Sequence, residues 1–127
     1  MYLINGKEVT KEEFQIPVED LVIWRGDGIF EAMGIHQGFL FALEKHIERF
    51  KKSAQKMHFD NIDFDKIEKD LVRVASNYES GYMRVIIGRG ASKEESKVYM
   101  FYQDPIPVPD YYSLQSHKAH WMSGGDF

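Results

Sequence analysis

Residues 28–57 read GIFEAMGIHQGFLFALEKHIERFKKSAQKM, and the spacing of apolar residues changes within this stretch. Up to residue 42, bulky residues alternate with small or polar ones, which is the period of a β-strand with two different faces. Gln37-Gly38 interrupts the alternation, so this half is predicted to be a hairpin that reverses there. From Leu43 onward, apolar residues recur at intervals of three and four, which predicts an amphipathic helix. They are Leu43, Ile47, Phe50, Ala54 and Met57.

The flanking sequence predicts further strands and one further helix. The N-terminal MYLINGKEV is typical of a hairpin, because Asn5-Gly6 favours a two-residue type I′ turn. A second helix is expected after Asp63, which can cap its N-terminus, and it is expected to end near Gly81. Its apolar stripe consists of Ile67, Leu71, Val74, Ala75 and Tyr78.

The remaining sequence is predicted to be rich in β-structure. Residues 82–90, YMRVIIGRG, and residues 96–103, SKVYMFYQ, hold many β-branched and aromatic residues and indicate an antiparallel pair. Residues 104–110, DPIPVPD, hold three prolines and cannot form a central strand. One further strand is expected in residues 111–119, YYSLQSHKA. The order ββ-ββ-αα-βββ predicts an α+β fold: an antiparallel sheet of hairpins covered on one face by two helices.

Composition limits the function classes. The chain has 127 residues, 43% of them hydrophobic and 14% aromatic, which suffices for the core of one domain. Its net charge is −4 and its basic residues are not clustered, so nucleic-acid binding is not expected. The sequence shows neither a long apolar run nor a leader pattern, so neither a membrane span nor export is expected. The absence of cysteine fits a reducing cytoplasm.

The tripeptide Arg25-Gly26-Asp27 has three interpretations: an adhesion motif, a phosphate loop, or the turn before a strand. Adhesion is not expected of a chain without an export signal. RGDG is too short for a phosphate cradle, and no strand is predicted before it. Gly26 and Gly28 permit tight backbone geometry, and Asp27 is expected to accept hydrogen bonds in a turn or cap.

Three arginines lie among apolar residues. Arg49 borders the apolar stripe of the first predicted helix, where it could bind a phosphate or extend to solvent and pair with a carboxylate. Its spacing leaves both alternatives open. Arg84 and Arg89 are five residues apart, so a regular strand would direct their side chains to opposite faces.

Common catalytic and metal-binding patterns are not found. The closest histidine pair is His117-x-x-His120, with no carboxylate at ligand spacing, so a metal site is not predicted. The sequence has no Gly-x-Ser-x-Gly motif, no glycine-rich loop ending in Lys-Ser/Thr and no cysteine nucleophile. No catalytic residue is therefore assigned.

Several motifs, in a fixed order, resemble a known family. Gly-Asp-Gly followed by apolar and aromatic residues and Glu31, a hairpin, His-apolar-x-Arg on a helix, and GYMRVIIGRG are similar to the fold-type IV pyridoxal-phosphate enzymes, or class IV aminotransferases. The match runs from about residue 16 to residue 90, and HWMSGGDF resembles the approach to the family's cofactor lysine. The resemblance implies the family's small N-terminal domain in residues 1–118 and the start of an interdomain segment in residues 119–127.

This resemblance implies pyridoxal 5′-phosphate as the cofactor and Arg49 as the ligand of its phosphate. Phe30 occupies the position of an aromatic residue of the substrate pocket. Tyr82 with Arg84 matches the branched-chain enzymes. Arg89, followed by glycine, matches the arginine that holds a substrate carboxylate in D-amino acid enzymes and recurs in aminodeoxychorismate lyases. Because both signatures are present, the subtype stays open.

The sequence also departs from the family pattern. Phe30 lacks the hydroxyl of the tyrosine found in D-amino acid enzymes, and Gly34 stands where branched-chain enzymes often have arginine. Arg25 stands where many members have an aromatic residue. The last lysine, Lys118, does not match the context of the lysine that forms the Schiff base with the cofactor.

The resemblance implies the N-terminal domain of a pyridoxal-phosphate-dependent class IV aminotransferase, inactive alone without that lysine. It implies amino acids and keto acids as substrates and a homodimeric assembly. Two alternatives stay open: an aminodeoxychorismate lyase domain, and a non-catalytic dimerising binding module of the same fold.

Overall fold

A computed structural model describes residues 1–92 and 96–116, which form one antiparallel sheet and three helices. In the six-stranded sheet the strand order is β2-β1-β6-β5-β3-β4. The strands are β1 Tyr2–Ile4, β2 Lys7–Val9, β3 Gly28–His36, β4 Phe39–Leu40, β5 Ser80–Gly88 and β6 Lys97–Gln103. The helices are α1 Leu21–Arg25, α2 Leu43–Lys56 and α3 Phe64–Ala75.

The two tight hairpin turns lie where the sequence predicts them, and Asn5-Gly6 also has the predicted type I′ geometry. Asn5 and Gly6 have φ of 52° and 80°, and Gln37 and Gly38 have φ of 49° and 79°. Positive φ at both central residues is the mark of a type I′ turn, whose twist matches that of the flanking strands. The α+β fold and both predicted hairpins are therefore confirmed.

The core lies between one face of the sheet and helices α2 and α3. Alternate residues of β3 point into it, and their partners on β5 lie directly opposite: Ile29 pairs with Ile87, and Met33 with Met83. The helices bury most of the stripes expected from their periodicity, but Met57 and Tyr78 lie beyond the ends of α2 and α3. Asp63 accepts a hydrogen bond from the Lys66 amide at the start of α3. The largest fully buried residues include Leu3, Phe50, Leu71, Val74, Val85 and Met100.

The opposite face of the sheet is only partly covered. Phe14, in the segment after β2, packs against Tyr2, Tyr99 and Phe101. Around Phe30, the same face stays open to solvent, since this side chain is 66% exposed. The sheet thus has one filled side and one side with an open region.

Three features differ from the sequence predictions. Helix α3 ends at Ala75 instead of near Gly81, because β5 already begins at Ser80, and Tyr78 lies in the connection between them. Helix α1 was not predicted, because five residues are too few to show an apolar stripe; Asp20 caps its start and Gly26, at φ 62°, ends it. The strand predicted at residues 111–119 is wrong for residues 111–116, which have no regular structure, while residues 117–119 lie outside the described residues. Both edges of β6 are already paired, with β1 and β5, so this segment finds no open edge beside it. No helix in the described ranges has the length and apolar character needed to cross a membrane.

Replacing Gly81 by alanine is expected to destabilise the fold strongly. Gly81 has φ 131°, and a Cβ there would lie 2.5 Å from the Tyr102 ring and 2.7 Å from the Gln103 carbonyl oxygen. Gly34, on the neighbouring strand, has no atom within 4 Å of its added Cβ. In urea unfolding followed by circular dichroism, we expect Gly81→Ala to lower the free energy of unfolding by more than about 1 kcal/mol. The control Gly34→Ala should change it by less than about 0.5 kcal/mol; equal effects would contradict the packing described.

Candidate functional site

A buried carboxylate on β3 binds two side chains of α2. Glu31 points to the helix side of the sheet, where it is 3% exposed. Arg49 donates from Nε to Glu31 Oε1 at 2.7 Å and from Nη2 to Glu31 Oε2. Nδ1 of His46, one turn earlier on α2, lies 2.8 Å from Oε2. These three residues, the Glu31 cluster, join β3 to α2.

The Glu31 cluster is held together by charge. Burial raises the pKa of Glu31, but hydrogen bonds and charge from Arg49 and His46 outweigh it, so the pKa lies below its ordinary value. The hydrogen bond and charge of Glu31 raise the pKa of Arg49. Glu31 and Arg49 are therefore ionised together at neutral pH.

Only one edge of the Arg49 guanidinium is engaged by Glu31. A guanidinium has five N–H groups, of which this carboxylate takes the Nε–H and one on Nη2. Within the described residues, Nη1 has no hydrogen-bond acceptor, and the side chain is 66% exposed. Of the two alternatives left by the sequence, pairing with a carboxylate is confirmed, and it leaves the second edge of the guanidinium free for an anion.

Three predicted substrate-side residues, Phe30, Tyr82 and Arg84, lie on the other face of the sheet, but Tyr82 does not line the hollow that the other two share. In the β3–β5 register, Phe30, Ala32 and Gly34 pair with Ile86, Arg84 and Tyr82. All six positions share the face that stays partly open. Phe30, Arg84 and Ile86, with Val22 of α1 and neighbouring residues, line a hollow of about 460 Å³.

The hollow is apolar with one cation at its wall. Arg84 donates from Nε to Gln103 Oε1 at 2.8 Å, which leaves its terminal nitrogens without an acceptor among the described residues. Such a wall suits a small molecule with an apolar part and a carboxylate. The Glu31 cluster lies on the opposite side of the sheet, so the structure does not bring Arg49 into this hollow.

Arg89 is held in a different way. It is 5% exposed, and its Nε and Nη2 donate to Asp27 Oδ1 at 3.2 and 3.1 Å. Nη1 donates to the His58 carbonyl at 2.9 Å, and Nη2 also donates to the Met57 carbonyl. The guanidinium carbon lies 3.7 Å from the centre of the Phe59 ring. Arg89 therefore ties together the end of β5, the start of β3 and the chain that leaves α2.

This clamp explains the tripeptide at residues 25–27. Asp27 is the anion that pairs with Arg89, and its backbone carbonyl also accepts from the Arg89 amide at 3.1 Å. Asp20, 2% exposed, accepts from the Val22 and Gly90 amides, both at 3.0 Å. The turn and α1 are thus fastened to the end of β5 by two acidic side chains.

Sequence reasoning assigned no site role to Glu31, His46, Asp27 or Phe59. A signal for Glu31 was present: it is a charged residue among positions of β3 whose alternation marks them as buried, and a buried carboxylate needs a partner. Nothing in the local sequence identifies the partners of Arg89, which lie 31 and more residues away.

The chain matches the family described as amino-transferase class IV over residues 28–122. This match covers well over half of the chain. The chain belongs to the class IV aminotransferase family. The matched residues include the whole Glu31 cluster, together with Phe30 and Arg84 of the hollow and Arg89 itself, whereas Asp27 and Val22 lie just before them.

Individual relatives share only part of their length with this class IV aminotransferase domain. The D-alanine aminotransferase of Bacillus licheniformis is 32% identical over 99 residues, which are 73% of this chain and 35% of the relative. The 4-amino-4-deoxychorismate lyase of Pseudomonas aeruginosa has a TM-score of 0.74 at 18% identity, covering 87% of this chain and 42% of that one. A hypothetical aminotransferase of Mycobacterium tuberculosis, in its PLP-bound form, has a TM-score of 0.69 at 23% identity, covering 82% and 39%. The chain spans about a third of the length of the curated relatives it matches.

Removing Arg89 is expected to destabilise this class IV aminotransferase domain far more than removing Arg84. Arg89→Met leaves Asp27 and two carbonyls without their donor, which costs about 2–3 kcal/mol of unfolding free energy. Arg84→Met, in the same strand region, removes one hydrogen bond at a half-exposed site and should cost less than about 1 kcal/mol. Urea unfolding of both variants measures the difference. Similar losses would show that the clamp around Arg89 does not stabilise the fold.

The stability supplied by Glu31 is expected to disappear in acid. Its folded pKa lies below the ordinary value of 4.5, so its contribution is complete above that pH and is lost as the pH falls toward the folded pKa. The difference in unfolding free energy between the wild type and Glu31→Gln should therefore shrink as urea unfolding is repeated from pH 7 down to pH values below 4.5. A difference that stays constant over this range would contradict the ion pair.

Proposed function

We propose that this chain binds the phosphate of pyridoxal 5′-phosphate through Arg49 and forms one wall of the substrate site of an enzyme acting on amino acids. The observation that carries the proposal is the arginine with one edge fixed by Glu31 and with no acceptor on the other edge among the described residues. Membership of the family supports this cofactor, as does the structurally similar aminotransferase of Mycobacterium tuberculosis, which is described in a PLP-bound form.

The donors present fit a phosphate group. The free edge of Arg49 offers two N–H groups on Nη1 and one on Nη2, a planar fork that matches phosphate oxygens. A guanidinium stays protonated in proteins, and Glu31 raises the pKa of Arg49 further. The bound cofactor would supply the electron sink for reactions at the amino acid's α-carbon. The chain's own contribution is to bind and orient; no proton-transferring residue is assigned to it.

For the substrate, we infer that Arg84 binds the carboxylate of the amino acid or keto acid. Arg89 already uses four of its five N–H groups on Asp27, Met57 and His58. In the part of the chain that the structure describes, Arg84 uses only Nε, and it lines the hollow together with Phe30. This assignment favours amino transfer of the branched-chain type, with the apolar side chain of the substrate against Phe30.

The lyase alternative depends on Arg89 instead. Arg89 followed by glycine is the signature that resembles the lyases, but its donors are engaged. A carboxylate bound by Arg89 would have to displace Asp27 or the backbone carbonyls. Binding of a substrate carboxylate by Arg89 would favour the lyase or D-amino acid type over the branched-chain type.

We also propose that the protein is a homodimer located in the cytoplasm. In this proposal residues 1–118 form the small N-terminal domain, and residues 119–127 begin an interdomain segment. Large exposed apolar residues beside the open face, among them Trp24 and Phe30 at 70% and 66% exposure, support contact with another protein surface. The lack of cysteine supports the cytoplasm.

The stable compound N-(5′-phosphopyridoxyl)-L-leucine tests the proposal, because it carries both the phosphate and the amino acid. It would reach Arg49 on one face and Arg84 on the other around the edge of β3, which β4 borders only at Ile35 and His36. In calorimetric titration, we expect Arg49→Met and Arg84→Met each to weaken binding by about tenfold, the loss of one charge-assisted contact. Lys52→Met is the matched control: Lys52 is on the same helix, exposed, and pairs with Glu48.

Two results would contradict the proposal. If Lys52→Met weakens binding as much as Arg49→Met, the attraction is general and Arg49 is not the phosphate ligand. If Arg89→Met is folded and weakens binding while Arg84→Met does not, the carboxylate lies at Arg89 and the branched-chain assignment is wrong.

A further inference from the structure

We propose that Glu31 and His46 are positioning residues that set the direction of the Arg49 guanidinium, so that its free edge is held ready for a phosphate. The inference rests on the proposed function, in which Arg49 is the phosphate ligand. Neither Glu31 nor His46 is required to touch the cofactor. Their role is to fix the group that does.

Glu31 occupies a position in the core that is otherwise apolar. Its neighbours on the same face of β3 are Ile29 and Met33, and Val85 lies opposite on β5. An apolar residue would fill this position without the cost of removing a carboxylate from water, and buried ion pairs often stabilise no more than apolar replacements do. A carboxylate at this position therefore indicates a role other than packing.

Glu31 also orders the Arg49 side chain. A solvent-exposed arginine samples many rotamers, and ordering it reduces the affinity for any ligand that needs it ordered. Glu31 takes the Nε/Nη2 edge of Arg49 with both carboxylate oxygens, which fixes the plane of the guanidinium as well as its position. The Nη1/Nη2 edge is left whole, at a side chain that is 66% exposed. The anchored edge and the ligand edge do not compete.

His46 binds Glu31 and does not bind Arg49. An ionised Glu31 can only accept, so the Nδ1 that lies 2.8 Å from its Oε2 must carry the hydrogen. The 3.4 Å contact between Nδ1 and Arg49 Nη2 then joins two donors and is not a hydrogen bond. His46 therefore acts on Arg49 through Glu31: it occupies Oε2 from a second direction and restricts rotation of the carboxylate.

If Glu31 had a purely structural role, replacing it would have different effects. If Glu31 only joined β3 to α2, replacing it would change stability but not the affinity for phosphate relative to an unphosphorylated ligand. A positioning role changes the phosphate-specific part of binding and the order of the Arg49 side chain.

The experiment compares pyridoxine 5′-phosphate with pyridoxine, neither of which has an aldehyde that reacts with lysines. We expect Glu31→Gln to weaken binding of the phosphorylated probe about tenfold and to leave pyridoxine unchanged. Glu48→Gln is the matched control, because it makes the same change at an exposed carboxylate of α2 that pairs with Lys52. Should Glu31→Gln fail to fold, Glu31→Asp keeps the charge, shortens the reach to Arg49, and should give a smaller loss of the same kind.

Side-chain NMR gives a readout that needs no ligand. In the wild type, the Arg49 Nε–H signal should exchange slowly with water and show an ordered side chain, and the His46 signal should be that of the Nδ1–H tautomer. In Glu31→Gln, the Arg49 signal should become that of a mobile, solvated arginine.

The outcomes separate the two proposals. Unchanged Arg49 order or unchanged phosphate affinity in a folded Glu31→Gln overturns the positioning role, and an Nε2–H tautomer of His46 overturns its part in it. If no variant, nor the wild type, prefers the phosphorylated probe, Arg49 is not a phosphate ligand and the proposed function fails. In that case the NMR signals still decide whether Glu31 orders Arg49.

Discussion

The nine-residue pairing of β3 with β5 is the constraint on which the rest of the domain depends. Because successive residues of a strand point to opposite faces, this one register decides which side chains meet the helices and which meet solvent. It places Glu31 against α2 and the neighbouring Phe30 on the open face. A slip of one residue would exchange the two, burying the phenyl ring and exposing the carboxylate. Core, ion pair and hollow are therefore consequences of a single alignment.

Three arginines lie among apolar residues in the sequence but have different roles in the structure. Arg89 donates four of its five N–H groups to Asp27 and to the carbonyls that follow α2, so its charge is used internally. Among the described residues, Arg49 donates two N–H groups and Arg84 one. The number of N–H groups that the protein leaves free, which sequence motifs do not reveal, separates an arginine that holds the fold from one able to hold a ligand.

Local periodicity explains why so much of the fold could be predicted. Helices α2 and α3 and the I′ hairpins depend on residues close together in sequence, and they were found. Helix α1 depends on a cap at Asp20 that is completed by the Gly90 amide, 70 residues away. The partner of Glu31 is 18 residues distant and that of Asp27 is 62, so no window of sequence contains either pair. Residues 111–116 have strand-like composition, but composition cannot tell that the edges of β6 are occupied.

The outer strands β2 and β4 have only three and two residues. At the β2 end, the described sheet therefore offers only a short ladder of backbone groups to another chain, which limits edge-to-edge pairing there. At the other end, β4 pairs only with Ile35 and His36, so the part of β3 before them has no strand on its outer side among the described residues. A second molecule at this edge can therefore meet backbone groups of β3 together with side chains from both faces of the sheet, and those side chains discriminate among partners by shape and charge better than a repeating backbone does.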